Sequence, residues 1–176
     1  AAEIRGRLAA GKRVEQDVPG FQRAAVLLPL CPSAEGPIVL LTRRTEEVET
    51  HKGQISLPGG VMEIGDRDAV HTALREAEEE TGLDPSGVEV LATLPQLWLP
   101  AGGYAVTPIL AWWREPSPVG VVDQAEVASV HRVPLVDLVD PANRLRVRHP
   151  SGYIGSAFRV GGLLVDILGA SAELLH

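Results

Sequence analysis

The sequence predicts an α/β domain in which a mixed β-sheet is covered by helices. Three observations carry that expectation. Short runs rich in Val, Ile and Leu alternate with Gly- and Pro-containing turns along most of the chain. Two segments, residues 67–81 and 163–175, carry helical periodicity instead. The resulting order of strands, a helix, further strands and a closing helix is that of a sheet buried under helices.

Taken in order, residues 2–13 are a candidate helix within an N-terminal extension of residues 1–20. Ala24–Leu30 and Pro37–Thr42 are strand candidates, separated by the hairpin-like turn Pro32-Ser33-Ala34-Glu35-Gly36. Gln54–Leu57 leads into Pro58-Gly59-Gly60. In residues 67–81 the apolar set Val70, Ala73, Leu74 and Ala77 follows i, i+3, i+4, i+7. Asp66 and Asp68 suit the start of that helix, and Gly82 suits the position just past its end. Val88–Leu94, Tyr104–Trp113 and Glu126–Val133 complete the strands, and Pro116, Pro118 and Gly120 mark a loop over 114–125. Leu164, Ile167, Leu168, Leu174 and Leu175 form the apolar side of the closing helix.

Length and composition exclude several classes of function. At 176 residues the chain reads as one domain over 1–176, large enough to bury a core without disulfides or metal staples. Lys and Arg number 16 against 23 Asp and Glu, a net charge of −7, which argues against a broad basic face for nucleic acid. The apolar stretches fall far short of the roughly 20 residues that span a bilayer. Charges come too early and too often in Ala1–Leu8 for a signal-peptide core. A soluble, cytoplasmic protein is expected, with neither nucleic acid nor membrane as partner; a homodimer stays open. The lone cysteine, Cys31, follows Val26-Leu27-Leu28-Pro29-Leu30 and reads as a half-buried thiol rather than a nucleophile.

The chemistry concentrates in Pro58–Leu83. On a helical wheel at about 100° per residue, with the apolar stripe at zero, Glu76, Glu79 and Glu80 fall at roughly 240°, 180° and 280°. Glu78 falls at roughly 80°, away from them. Carboxylates crowded on one face repel, and a hard divalent cation relieves the repulsion because Mg²⁺ and Mn²⁺ prefer oxygen ligands. A glutamate run alone reads more readily as a solvated helix face. Two neighbours favour the site: Gly59-Gly60 lets backbone approach a metal or phosphate closely, and Arg75 can hold a carboxylate bidentately. Together these residues describe metal-assisted phosphoryl transfer.

The segment resembles the signature of the Nudix hydrolases, proteins that cleave a nucleoside diphosphate linked to another moiety. Arg75-Glu76-Ala77-Glu78-Glu79-Glu80-Thr81-Gly82-Leu83 matches the second half of that signature throughout. In the first half Gly60 is followed after five residues by Asp66, not Glu, and eight residues rather than seven precede Arg75. Asp and this insertion recur in the coenzyme A pyrophosphatase branch, where the first acidic position is mainly structural. That branch also carries an upstream element, matched by Leu40-Leu41-Thr42-Arg43-Arg44, Gly53 and Pro58-Gly59-Gly60. Thr45, Glu49 and Leu57 depart from it, and Glu49 reverses a charge. Tyr104-Ala105-Val106-Thr107-Pro108 and Val133-Pro134-Leu135 are similar to the branch as well.

The resemblance implies a Nudix-type α/β/α sandwich with a mixed β-sheet. It implies hydrolysis of coenzyme A or its thioesters to 3′,5′-ADP and 4′-phosphopantetheine. Glu76, Glu79 and Glu80, with the carbonyl oxygen of Gly59, would coordinate Mg²⁺ or Mn²⁺, and Arg75 would support catalysis beside Glu76 and Glu79. Family members add a later acidic ligand or base, for which Glu126 is the candidate; an exposed loop glutamate is the alternative. Either Glu76 or Glu79 would deprotonate the attacking water. Arg44, then Arg43, His51, Lys52 and Gly60, would meet the substrate phosphates. His71, His131 and His149 read as structural. Trp98, Tyr104, Trp112 and Trp113 would pack the core, stack adenine or line a pantetheine groove. Pyrophosphatase activity on another nucleotide derivative, or a non-catalytic nucleotide sensor, are the alternatives.

Overall fold

The computed structural model describes residues 19–48, 52–99, 102–148, 154–160 and 163–165. The candidate helix over 2–13, His51, Glu49 and His149 lie outside them, and of the extension only Pro19 and Gly20 are described, as a turn.

Strand β1 (Gln22–Cys31) is the spine of the larger sheet. It pairs in parallel with β7 (Tyr104–Trp113) from Gln22↔Tyr104 to Leu30↔Trp112. All other pairings are antiparallel, which makes the sheet mixed. On the far side of β7 lie β5 (Val88–Thr93) and β6 (Leu97–Leu99). On the other edge, β2 (Ile38–Arg44) carries β3 (Ile55–Ser56) and β8 (Val127–Pro134). Strands β1 and β2 pair only at Leu30↔Val39 and Cys31↔Ile38. The first half of β1 pairs instead with β4 (Gly59–Val61). The sheet therefore divides beside the Gly59-Gly60 strand, and this division opens the site described below.

Two-residue alternation sorts the central strands between two cores. Ala25, Leu27, Leu40, Ile109, Ala111 and Trp113 pack with Ala69, Ala73 and Ala77 of helix α1 (Ala69–Thr81). Leu28, Leu30, Val39, Leu41 and Leu110 pack on the opposite side with Leu138, Phe158 and Val160. Leu138 belongs to the short helix α2 (Leu135–Val139). Phe158 and Val160 belong to β10 (Ile154–Val160), the middle strand of a second sheet with β9 (Arg144–Arg148) and β11 (Leu163–Val165). The α/β class with helices against a mixed sheet is the expected one. Because the contact face of α1 is alanine, that helix sits close to the strands, and a larger side chain at Ala77 would cost about 1–3 kcal/mol.

The expected closing helix over 163–175 is corrected in its first three residues. Leu163–Val165 is a strand, paired with β10 at Val160↔Leu163, Arg159↔Leu164 and Phe158↔Val165. Those residues gain backbone partners from β10, which outweighs the helical spacing of the leucines. Residues 166–176 lie outside the described part. Strands β4, β6, β9 and β10 and helix α2 were not expected. Among the described residues no helix is long and apolar enough to cross a membrane.

Candidate active site

Helix α1 starts where the sequence suggests. The Asp68 carboxylate accepts from the His71 backbone N–H at 2.8 Å, and Gly82, at φ 72°, closes the helix by donating to the Glu78 carbonyl. The buried face is Ala69, Thr72, Ala73, Ala77 and Glu80. Glu80 thus lies within the buried stripe rather than beside it. Glu78 points to solvent, as expected. Across from this face runs β4, where two glycines permit close approach. A side chain at Gly59 would overlap the Ala25 carbonyl oxygen of β1, and one at Gly60 would meet Glu76 Oε1 at 2.5 Å. Small residues in β4 let the helix carboxylates reach the sheet.

Arg75 organises those carboxylates. Its Nε and Nη2 donate to the two oxygens of Asp66 at 3.0 and 2.9 Å, a bidentate pair. Nη1 donates to Glu79 at 2.8 Å, and Nη2 lies 3.0 Å from Glu76 and donates to the Val61 carbonyl at 3.3 Å. The Asp66 side chain is 1% exposed and also accepts from Thr72 Oγ1 and bonds His71 Nδ1. The Arg75 guanidinium holds the Asp66 carboxyl far below the usual carboxylate range. In turn Asp66, more than any other group, pushes the Arg75 pKa up. The departure from the signature at position 66 is therefore a structural anchor that fixes Arg75, and His71 is part of it.

Glu76 and Glu80 are in the opposite condition. Glu80 is 5% exposed, and the Gly59 N–H donates to its Oε2 at 3.2 Å. Burial pushes its carboxyl up to about 8, against the pull of that N–H, and Glu76 and Glu126 add to the rise. Burial also raises Glu76, with Arg75 opposing and Glu79 and Glu126 adding. Glu79 is more than half exposed and turned toward Arg75.

Glu126 reaches this set through the loop after β7. Gly120 N–H donates to the Thr81 carbonyl and Val122 N–H to the Glu80 carbonyl, so the loop satisfies the open C-terminal end of α1. Asp123 then caps the Ala125 and Glu126 amides, and Thr45 binds the carbonyls of both residues. The Glu126 carboxylate accepts from Arg44 Nη2 at 3.2 Å. Arg44 Nε is buried and has no hydrogen-bond partner among the described residues. Glu126, Arg44, Gly59, Gly60 and Glu76 line one cleft of about 380 Å³, and Glu63 lines it too. Glu63 was missed in the sequence, although its place just after Gly59-Gly60 marks it as a neighbour of any ligand held there.

Other expected residues stand elsewhere. Arg43 Nε donates to the Gly53 carbonyl at 3.2 Å, and Arg43 does not line the cleft; nor does the exposed Lys52. His131 bonds Ser129 Oγ at 2.8 Å. Cys31 is buried, not half-buried, and burial raises its thiol pKa. Trp113 is fully buried, Trp112 packs against the core and Trp98 is 54% exposed, so of the four aromatics Tyr104 alone lines the cleft.

The donor set fits a hard divalent cation in its chemistry. Glu126 raises the cost of ionising Glu76, both raise that of Glu80, and the donors of all three are carboxylate oxygens. A diphosphate entering the cleft would face three lining glutamates with Arg44 as the lining cation, so positive charge has to come with it. Among the described residues, no group of three acidic, His or Cys side chains is drawn together as it would be around an ion.

The chain is similar to known proteins. The NUDIX domain is matched over residues 20–151. The uncharacterized Nudix hydrolase NudL of Photorhabdus laumondii is 43% identical over 117 residues, 65% of this chain and 59% of that protein. Nudix hydrolase 15, mitochondrial, of Arabidopsis thaliana is 39% identical over 125 residues, 70% of this chain and 44% of that protein. The chain spans less than two thirds of the length of either relative. Among solved structures, a Caenorhabditis elegans Ap4A hydrolase binary complex superposes with a TM-score of 0.55 at 21% identity, over 66% of this chain and 83% of that one. The NUDIX domain of Shewanella oneidensis NrtR complexed with ADP ribose gives 0.54 at 18% identity, over 76% and 84%. These two show likeness of fold. The domain match covers the sheet, α1 and the loop bearing Glu126, and the chain belongs to the NUDIX domain family.

Proposed function

We propose that this chain is a Mg²⁺- or Mn²⁺-dependent pyrophosphohydrolase that cleaves coenzyme A or its thioesters to 3′,5′-ADP and 4′-phosphopantetheine (or its acyl derivative). The observation that carries the hydrolase reading is the nearly buried Glu80 beside Glu76, both next to a cleft that Arg44 and Glu126 close. The coenzyme A reading rests on the upstream match, Leu40 to Arg44 with Gly53 and Pro58-Gly59-Gly60. Pyrophosphatase activity on another nucleoside diphosphate derivative is the second reading, and the shared signature favours it as much as the first.

Glu76, Glu80 and Glu126 would hold the metal, with the Gly59 carbonyl oxygen and Glu79 as further ligands. When bound, the metal supplies charge neutralisation on the diphosphate and lowers the pKa of a bound water. Arg44, which lines the cleft, binds a phosphate oxygen through its guanidinium. Arg75 positions Glu76 and Glu79, one of which takes the proton from the attacking water. A cytoplasmic setting, a small-molecule substrate and neither nucleic acid nor membrane as partner belong to the same reading, in keeping with the net charge of −7.

The test is a substrate panel. Purified protein with Mg²⁺ or Mn²⁺ is given coenzyme A, dephospho-coenzyme A, ADP-ribose and dinucleoside polyphosphates, and products are identified by mass. 3′,5′-ADP formed from coenzyme A at the highest kcat/KM supports the proposal. Faster cleavage of another compound replaces the substrate, and no cleavage of any removes the hydrolase.

A further inference from the structure

The smaller sheet takes no part in the cleft, and its charge is one-sided. Residues 141–165 hold four arginines, Arg144, Arg146, Arg148 and Arg159, and neither Asp nor Glu, although the whole chain carries a net charge of −7. All four are exposed. Arg144, Arg146 and Arg148 alternate along β9, so their side chains leave one face of the strand about 6.8 Å apart. Among the described residues none of the three has a side-chain hydrogen bond or ion pair. The acid that precedes them most closely, Asp140, is committed to the Ala142 N–H at 2.8 Å. Three like charges at this spacing repel, and no carboxylate among the described residues offsets the repulsion.

Strand β9 is also an edge. It pairs with β10 on one side, from Arg144↔Phe158 to Arg148↔Ile154, and with no strand on the other among the described residues. Such an edge presents N–H and C=O groups that template a further strand. A second copy of β9 is disfavoured there, because arginine would face arginine. A strand with Asp or Glu at every second position fits instead. It pairs with the backbone and, at the same period, sets carboxylates beside guanidinium groups that bind them bidentately. A nucleic acid or an anionic membrane would use the guanidinium groups alone. We propose that the outer edge of β9 docks an extended acidic peptide of a partner protein, added to the sheet as a strand beside Arg144, Arg146 and Arg148. None of these residues lines the cleft, so the inference stands apart from the hydrolase reading.

The experiment measures binding to the whole chain by fluorescence anisotropy. The probe is a labelled eight-residue peptide with Glu at every second position and Thr or Val between. Its control keeps the four glutamates but has Pro in place of Thr and Val, so it carries the same charge and cannot donate to a strand edge. Exposed ion pairs are weak singly, so Arg144→Gln, Arg146→Gln and Arg148→Gln are combined in one variant. The expected result is that the wild type binds the first peptide at least about fivefold tighter than the control, and that the variant loses at least about fivefold for it. Hydrogen exchange of the amides over 144–148 should slow with the first peptide alone. Equal affinity for the two peptides reduces the site to charge attraction and overturns the proposal, and this comparison needs no variant to fold. Wild-type affinity in the variant overturns it as well. So does tighter binding of a single-stranded RNA of equal charge, or of vesicles containing phosphatidylserine, which would give this edge to another class of partner.

Discussion

Replacing Glu80 by Gln separates two roles that the structure gives one side chain. The variant keeps the shape and leaves an oxygen to accept the Gly59 N–H, but it removes the ionisable group. The magnitude follows from the raised pKa. In the unfolded chain the carboxyl titrates near 4.5, and in the folded protein at about 8. The folded state therefore binds the proton more tightly. The stability it confers is fully present below pH 4.5 and is lost as pH rises toward 8. At about 1.4 kcal/mol per pH unit the loss reaches about 3 kcal/mol by pH 7 and about 4 kcal/mol by pH 8. The amide of the variant does not titrate. The stability of the variant minus that of the wild type should climb by those amounts between pH 4.5 and 8, in metal-free buffer.

Any constant effect of the amide cancels in this difference, and so do titrating groups that are not coupled to Glu80 as Glu76 and Glu126 are. His131, whose pKa is lowered from 6.5 chiefly by burial, changes both proteins alike as pH falls below that value. Asp66, lowered by Arg75, acts only below pH 4 in both. The assay is urea unfolding followed by far-UV circular dichroism at half-unit pH steps with EDTA present. Parallel stability curves across this range would refute a carboxyl held protonated by burial. Activity gives the second arm: Glu80→Gln should lower kcat at least a hundredfold, a loss of about 3 kcal/mol of transition-state stabilisation. More than about a tenth of wild-type turnover at saturating metal would remove Glu80 from the ligand set. Glu78→Gln, on the exposed side, is the control and should change neither quantity.

Gly60→Ala pushes a methyl to within 2.5 Å of Glu76 Oε1, so kcat should fall at least tenfold while thermal stability changes by under about 1 kcal/mol, measured by calorimetry and initial rates. Asp66→Asn leaves Arg75 without its bidentate partner at a site 1% exposed; urea unfolding should show a loss of about 3 kcal/mol, and an unchanged midpoint would contradict the anchoring role. Binding of Mg²⁺ at pH 7 should release close to one proton, because the Glu80 carboxyl at about 8 must ionise to become a ligand; calorimetry in two buffers of different ionisation enthalpy reads this number, and zero release speaks against the assignment. Arg44→Ala should shrink the preference for coenzyme A over dephospho-coenzyme A from about 10- to 150-fold toward one, as expected for one charge-assisted phosphate contact. Equal cleavage of both by the wild type would remove the 3′-phosphate contact but leave the glutamates their role.

Three of the strands legible in the sequence are buried on both faces. Val26 to Leu30, Val39 to Leu41 and Ile109 to Trp113 serve two cores at once, so they appear as unbroken apolar runs. Strand β4 was not legible because two of its three residues are glycines, selected for close approach rather than β-propensity. Strand β9 is Arg-Leu-Arg-Val-Arg, whose charges hide its alternation. The β10–β11 pair carried a hairpin signal, Gly161-Gly162 between apolar runs, but the helical spacing of Leu164, Ile167 and Leu168 outweighed it in the reading of 163–165. On α1 the bulkiest residues misled: Val70 and Leu74 are only half-buried, while the alanines make the contact. Setting the stripe by bulk placed Glu80 beside the core instead of in it.

That misplacement matters for how the site handles charge. Five carboxylates, of Asp66, Glu76, Glu79, Glu80 and Glu126, stand around α1 and the cleft, and they cannot all be ionised in close burial without a cost. The fold separates them by three physical means. Asp66 is buried but has Arg75 in bidentate contact, so it stays ionised. Glu79 and Glu126 are about half exposed and each meets one arginine, so water and charge share their stabilisation. Glu80 has burial that outweighs the more distant pull of Arg44, and a proton, or a metal that replaces it, neutralises it. Glu76 lies between these conditions, drawn down by Arg75 and up by burial. Arg75 thus grades Asp66 and Glu76, and Glu80, which it does not reach, is the neutral end of the series. The neutral end, next to Gly59, is where a divalent cation brings the largest change in energy.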